Sequence, residues 1–202
     1  MRMLASELSL RGIDVLTTHE PGGTALGRRL RAALLDPAES VDPLAELLIY
    51  AADRAQHVRA LVRPALETNH VVLSDRYADS TIAFQGAGRG FSPEIVQTVV
   101  ELATGGLKPD LTLFFDLPVA ECMARTSRRT DGGIHNDRLE SEGVGFHTRV
   151  REAYLKMAAA EPERIQVVDA SGTVAETHAS VMRMVTEFLD RRATKARRQK
   201  PK

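Results

Sequence analysis

The chain has 202 residues, 43% hydrophobic and 27% charged, the balance of an ordinary globular domain. No apolar run approaches the roughly 18 residues of a membrane span, and the N-terminus shows no basic patch followed by an apolar core. A lone cysteine, Cys122, excludes an internal disulfide and suits a reducing cytosol, and the six histidines show no pairing that suggests a zinc site.

Residues 1–11 read as an amphipathic helix, with Met1, Leu4, Ala5 and Leu8 on one face and no residue before them to cap it. A strand is expected at 13–18 (IDVLTT), followed by EPGGT (20–24) and a helix over 25–34. Asp42-Pro43 and Ser92-Pro93 each supply an N-cap and a proline at the first helical position, predicting helices over 43–68 and 92–104. Further strands are expected at 70–75, 111–116 and 165–170, all apolar, β-branched and nearly continuous, as buried parallel strands are. Helices over 78–87, 118–128, 142–160 and 173–192 complete the alternation, which predicts an α/β fold with a doubly wound parallel sheet. Ligands of such sheets sit beyond the carboxyl ends of the strands.

Those ends are HEPGGT, DRYADS, DLP and DAS, and four stretches at or near them carry candidate chemistry. The glycines of EPGGT allow a close backbone approach to an anion, and a tight strand-to-helix turn needs the same residues. On the helix over 43–68, Tyr50, Arg54 and His57 share a face, a stripe suited to stacking a planar base and donating to its carbonyl, and equally to a half-buried tyrosine beside a surface arginine. LSDRYADSTIAFQ (73–85) is the most informative. Asp75 and Arg76 reach the sheet edge together, the arginine suited to a phosphate and the aspartate to a Mg²⁺ hydration shell or to orienting the arginine, and Thr81, Phe84 and Gln85 then line one helical face with a hydroxyl, a ring and an amide. Residues 123–140 carry Arg125, Arg128, Arg129 and Arg138 around a glycine-containing loop too poor in apolar residues to pack a core; alone it reads as a solvated basic loop, and beside the other motifs as a mobile lid at about 125–142. The last segment, 191–202, holds seven Lys or Arg and no acid, leaving 20 basic against 27 acidic residues in 1–190, a net of −7. It is expected as a disordered, solvated tail, since no aromatic residues are interleaved to stack on nucleic acid.

Taken together, EPGGT, ELLIYAADRAQH (46–57), LSDRYADSTIAFQ, TGGLKPDLTLFFDLP (104–118), DRLE (137–140) and VVDAS (167–171) resemble bacterial thymidylate kinases over nearly all of 1–190. The resemblance implies ATP- and Mg²⁺-dependent phosphorylation of dTMP, on a five-stranded parallel sheet, by a cytoplasmic homodimer. It implies thymine stacked on Tyr50, with Arg54, Thr81 and Gln85 at its polar edge beside Phe84. The dTMP phosphate would meet Arg76 and Arg31, and Glu20 and Pro21 would line the sugar-phosphate side. Asp75 would serve the metal, Arg125, Arg128, Arg129 and Arg138 the moving phosphoryl group, and Asp169, Ala170 and Ser171 the adenine. One departure stands out: no Gly-x-x-x-x-Gly-Lys-Ser/Thr phosphate loop occurs in the 202 residues. In the family that loop and a central strand precede the helix that residues 1–11 resemble, so about 15–25 further residues are expected upstream, and four of five strands within this chain. Strands pair about 4.8 Å apart, so the vacancy would be nearly twice that. It would forgo ~6–12 kcal/mol of buried aliphatic surface against a typical domain stability of ~5–15 kcal/mol, so the chain as written is expected to be marginal and inactive. The alternatives are a catalytically inactive dTMP-binding regulatory module and a kinase for another nucleoside monophosphate.

Overall fold

A computed structural model describes residues 1–36, 38, 40–131 and 138–198, with side chains given except at 128–131 and 195–198. The first helix, α1 (Arg2–Leu10), buries Leu4 and Leu8, and its N-cap Met1 makes no side-chain capping bond. β1 (Val15–His19) leads through the EPGGT turn to α2 (Ala25–Leu35), which Thr24 caps by accepting from Gly27 N. α3 (Pro43–His57) starts on Asp42, whose carboxylate accepts from the amides of Leu44 and Ala45. The helix expected to run unbroken to 68 instead loosens into a π-helical turn at Val58–Val62 before α4 (Arg63–Glu67). That turn re-aims two arginines: Arg59 donates to the carbonyls of Leu102 and Ala103, and Arg63 to those of Thr104 and Gly105.

β2 (Val71–Asp75) is followed by a single α-turn, α5 (Ala78–Thr81), then a second π segment at Ile82–Gly88. α6 (Pro93–Thr104) begins on Ser92, which accepts from Ile95 N, and ends on left-handed Gly105. β3 (Thr112–Asp116), α7 (Val119–Asp131), α8 (Val144–Ala160), β4 (Ile165–Asp169) and α9 (Val174–Arg198) complete the described chain. α9 stays helical through Arg198, so eight residues of the segment expected as a tail extend the helix.

The α/β class and the parallel pairing are as expected, and the strands fall into two pairs. β1 pairs with β2 from Val15–Val71 to His19–Asp75, and β3 pairs with β4 from Thr112–Ile165 to Asp116–Asp169. Among the described residues no ladder joins the two pairs, which form separate two-stranded sheets. Side chains bridge them instead. Asp79 accepts from Thr112 Oγ1 at 2.8 Å and from Arg164 Nη1 and Nη2 at 2.9 and 3.0 Å. Ser80 and Tyr154 hydroxyls meet at 2.8 Å, and Tyr77 donates to Leu107 O at 3.1 Å. Burial pushes the Tyr77 phenol up to about 12, so it keeps the proton it donates. The strands are also less covered than continuous apolar runs predict. Phe114 stacks on Tyr154 from α8, whereas Phe115, on the opposite face of β3, is 51% exposed.

Two apolar clusters hold the layers. Leu4, Leu8, Val168, Val181 and Val185 join α1 and α9 to the strands. Leu34, Tyr50, Ala83, Leu139, Phe146 and Val150 join α2, α3, the second π segment and α8. Leu139 lies within the segment expected to be too polar to pack, and it is buried because the chain beyond residue 137 drops back onto α2 and α8.

Candidate active site

At the carboxyl end of β1 the chain turns through a cis Glu20-Pro21 bond and two glycines. Gly23 is required by proximity: a Cβ there would stand 2.6 Å from Thr18 Oγ1 and 2.7 Å from His57 Cδ2. The turn is pressed against α3. Glu20 and Arg54 are each only 2% exposed; Arg54 Nε donates to Glu20 Oε2 at 2.8 Å, and His57 Nδ1 stands 2.7 Å from Glu20 Oε1. His57 Nε2 is 2.7 Å from Thr18 Oγ1, so one histidine spans β1 and the turn. The family resemblance implies a sugar-phosphate beside Glu20; here both its oxygens meet interior side chains. The Arg54–His57 stripe expected to face a base is thus in part a buried ion network, because a guanidinium and an imidazole one turn apart can share a carboxylate.

Arg54 also reaches the other half of the site. Its Nη1 donates to Thr81 Oγ1 at 2.7 Å and its Nη2 to the carbonyl of Tyr77 at 3.1 Å, leaving two of its five N–H groups beyond these bonds. Tyr50, Arg54, Thr81 and Gln85 are all buried where α3 meets α5 and the second π segment. Asp75 and Arg76 are exposed at the end of β2. Arg76 adopts φ +68°, a left-handed backbone that a non-glycine residue holds at a cost and that often marks a functional turn. Ser74 Oγ braces it by donating to Arg76 O at 2.7 Å, and the guanidinium lies 4.6 Å from the Phe84 ring centroid. Arg31 Nη1 donates to Pro21 O at 2.9 Å, holding α2 over the turn.

A second group forms at the ends of β3 and β4. Asp169 Oδ1 accepts from the amide and hydroxyl of Ser171, and Arg125 donates to the carbonyls of Ala170 and Ser171 while pairing with Glu121. Arg125, Asp169, Ala170 and Ser171 are therefore neighbours. Arg128 and Arg129 lie on α7 with side chains outside the described residues, as is the stretch 132–137 of the expected lid. Arg138 is engaged elsewhere, donating to Leu34 O at 3.1 Å and Glu46 Oε2 at 2.6 Å.

The thymidylate kinase family profile matches residues 1–181. The chain belongs to the thymidylate kinase family. It is 51% identical over 182 residues to the thymidylate kinase of Nitratidesulfovibrio vulgaris (strain DSM 19637 / Miyazaki F), covering 88% of this chain and 85% of that one. It is 47% identical over 191 residues to that of Cereibacter sphaeroides (strain ATCC 17029 / ATH 2.4.9), covering 94% and 88%. The crystal structure of thymidylate kinase from Ehrlichia chaffeensis superposes with a TM-score of 0.70 at 27% identity, over 92% of this chain and 86% of that one. These relatives are phosphotransferases of nucleotide biosynthesis, and the α/β fold is theirs. No described helix is long and apolar enough to cross a membrane.

Sequence reasoning about this thymidylate kinase family member overlooked two buried acids of α3. Glu46 gathers Gln85, Arg89 and Arg138, and an acid in the first helical turn after a proline is common enough there to carry no signal of that role. Asp53, next to Arg54, accepts from Gly22 N at 3.1 Å through Oδ1 while its buried Oδ2 has no partner. Burial raises the Asp53 carboxyl above its ordinary 3.8, against the lowering effect of the Gly22 amide. A raised folded-state value means that the fold binds this proton more tightly than the unfolded chain. That contribution to stability is present below about pH 3.8 and fades as pH rises through the folded value. Asp53→Asn removes the titration, so the variant's stability relative to the parent chain is expected to grow between about pH 4 and pH 7. Urea unfolding across that range checks it, and a pH-independent difference would refute it. Glu46 runs the opposite way. Burial pushes its carboxyl up, but the hydrogen bonds from Arg89, Gln85 and Arg138 outweigh burial and hold it below 4.5, so its contribution is lost as pH falls.

Proposed function

We propose that the chain binds dTMP between α3 and the segment 75–85, as the acceptor site for phosphoryl transfer from ATP that yields dTDP. The observation that carries the reading is the 2.7 Å bond from Arg54 to Thr81, which joins the two stretches with thymidylate-kinase character into one wall. The pyrimidine ring stacks on Tyr50 with Phe84 alongside, while Arg54, Thr81 and Gln85 address its polar edge. Arg76, with Arg31 above the Glu20-Pro21 turn, takes the phosphate; the strained backbone at Arg76 fixes its aim. Asp75 suits Mg²⁺, which binds through phosphate oxygens, waters and one or two protein carboxylates, and an exposed carboxylate beside Arg76 fits that demand. When bound, the ion neutralises charge on the transferring phosphates. Arg125, Arg128 and Arg129 belong to the lid, at about 125–142 of a domain spanning 1–190, and act on the moving phosphoryl group, whereas Arg138, also expected there, is held on Glu46 and Leu34 O. Asp169, Ala170 and Ser171, held together with Arg125, receive the adenine. We place the protein in the cytoplasm, as a homodimer; exposed Leu44 and Leu48 on α3 and Ile95 and Leu102 on α6 offer apolar surface for it.

A second reading is a dTMP-binding module without catalysis; the 202 residues given hold no Gly-Lys-Ser/Thr phosphate cradle. Two measurements follow, the first testing the dTMP site that both readings share and the second testing phosphoryl transfer. dTMP is expected to raise the melting temperature of the 202-residue chain more than AMP, dCMP or dUMP does; stabilisation by AMP alone would refute the pyrimidine site. Turnover of dTMP with MgATP by the same chain is expected to fall more than tenfold below a typical ~10 s⁻¹. A rate within tenfold would remove the module reading and show that the phosphate donor is held without that motif.

A further inference from the structure

Glu46 has no role in the reading above, yet its wholly buried carboxylate is a junction. Oε1 accepts from Gln85 Nε2 at 2.9 Å and from Arg89 Nε at 3.1 Å; Oε2 accepts from Arg89 Nη2 at 2.8 Å and from Arg138 Nη2 at 2.6 Å. Arg89 is itself fixed, paired with Glu142 at 2.6 Å and lying 4.9 Å from the Phe146 ring centroid. Between two guanidinium groups the carboxylate is ionised, and an ionised carboxylate only accepts. Gln85 must therefore turn its NH₂ toward Glu46, and its Oε1 must form the amide's other edge. A free glutamine amide can rotate by half a turn and present either edge. This one cannot do so without setting its carbonyl against a buried carboxylate.

On the dTMP-site reading, we infer that Glu46 is a positioning residue that sets the hydrogen-bond polarity of Gln85, so that the pocket accepts a pyrimidine bearing hydrogen on the ring nitrogen between its two carbonyls and rejects one whose nitrogen is a bare acceptor. Thymine and uracil carry that N–H. Cytosine presents a lone pair there, and against a locked Oε1 two acceptors would face each other in a buried site, leaving both unpaired. Because the two arginines come from separate segments, one following the second π segment and one ahead of α8, the carboxylate cannot swing aside without stripping buried cations of their partner.

Glu46→Gln tests this, since it preserves shape but offers an amide that can donate as well as accept and so frees Gln85 to flip. Calorimetric titration of the full chain with dTMP and with dCMP reads the effect. The variant is expected to hold dTMP within about threefold of the parent affinity while its dTMP/dCMP preference falls at least tenfold, about 1.4 kcal/mol, through tighter dCMP binding. A folded variant that weakens for both nucleotides equally, with the preference intact, would make Glu46 a structural support and overturn the inference while sparing the dTMP site. A parent chain that binds dTMP no better than dCMP would overturn the site reading and the inference with it. If Glu46→Gln does not fold, the parent chain still decides. The Gln85 side-chain NH₂, assigned in a nitrogen-15 spectrum against Gln85→Asn, is expected to exchange with solvent at least ~100-fold more slowly than an exposed glutamine amide. Exchange at the exposed rate would overturn the inference.

Discussion

Arg54→Ala is expected to destabilise the fold by about 3–5 kcal/mol, the range for stripping one partner from a buried ion pair. The size follows from what is left behind. Glu20 would keep a buried carboxylate with only His57 beside it, Thr81 and the Tyr77 carbonyl would lose a donor, and a cavity would open between α3 and the β1 turn. Most of that figure is the penalty of an orphaned charge rather than the net worth of the pair. Arg54→Lys should lie in between, since an ammonium retains the charge but cannot span three acceptors in fixed directions. Urea unfolding measures both. A loss under 1 kcal/mol for the alanine variant would mean that Glu20 is solvated in solution and the network is not closed. dTMP binding by either variant should fall by more than tenfold, because the same guanidinium organises Thr81.

The second large effect is expected at Asp79→Ala, at about 2–3 kcal/mol. It is smaller because Arg164 keeps Glu161, at 2.8 Å, as an alternative partner. Asp79 nonetheless matters more to the architecture than its energy suggests. With no ladder between β2 and β3, the bonds from Thr112 and Arg164 to Asp79 are among the few polar ties across that divide. Besides a lower urea midpoint, the variant should show faster amide exchange in β3 and β4 than in β1 and β2. Uniform exchange across all four strands would refute a role specific to the divide.

The fold was legible wherever local chemistry decides structure. Asp42-Pro43 and Ser92-Pro93 announce two helix starts, and both caps form as their side chains predict. The strands were legible from their β-branched runs, because parallel strands flanked by helices need apolar residues on both faces. What stayed hidden was partnership at long range. Nothing near Glu46 in sequence says that Arg89 and Arg138, 43 and 92 residues away, will converge on it. Nor does the face shared by Arg54 and His57 reveal that the partner is Glu20, 34 residues upstream of Arg54. Spacing along a helix shows which side chains travel together, not what they meet. The break after His57 did have a local signal: Pro64 has no N–H to give the carbonyl of Ala60, and the π turn at Val58–Val62 accommodates it.

That last arrangement carries a consequence for how the molecule comes apart. α6 has no basic residue in its own last turn, and the carbonyls at its C-terminal end are met by arginines borrowed from the neighbouring π turn and α4. A helix that ends on another helix's cations cannot keep that end when the two separate. Fraying of α6 and detachment of the continuous α3–α4 helix are thereby one event, and these segments should melt as a single cooperative unit rather than residue by residue from the tip.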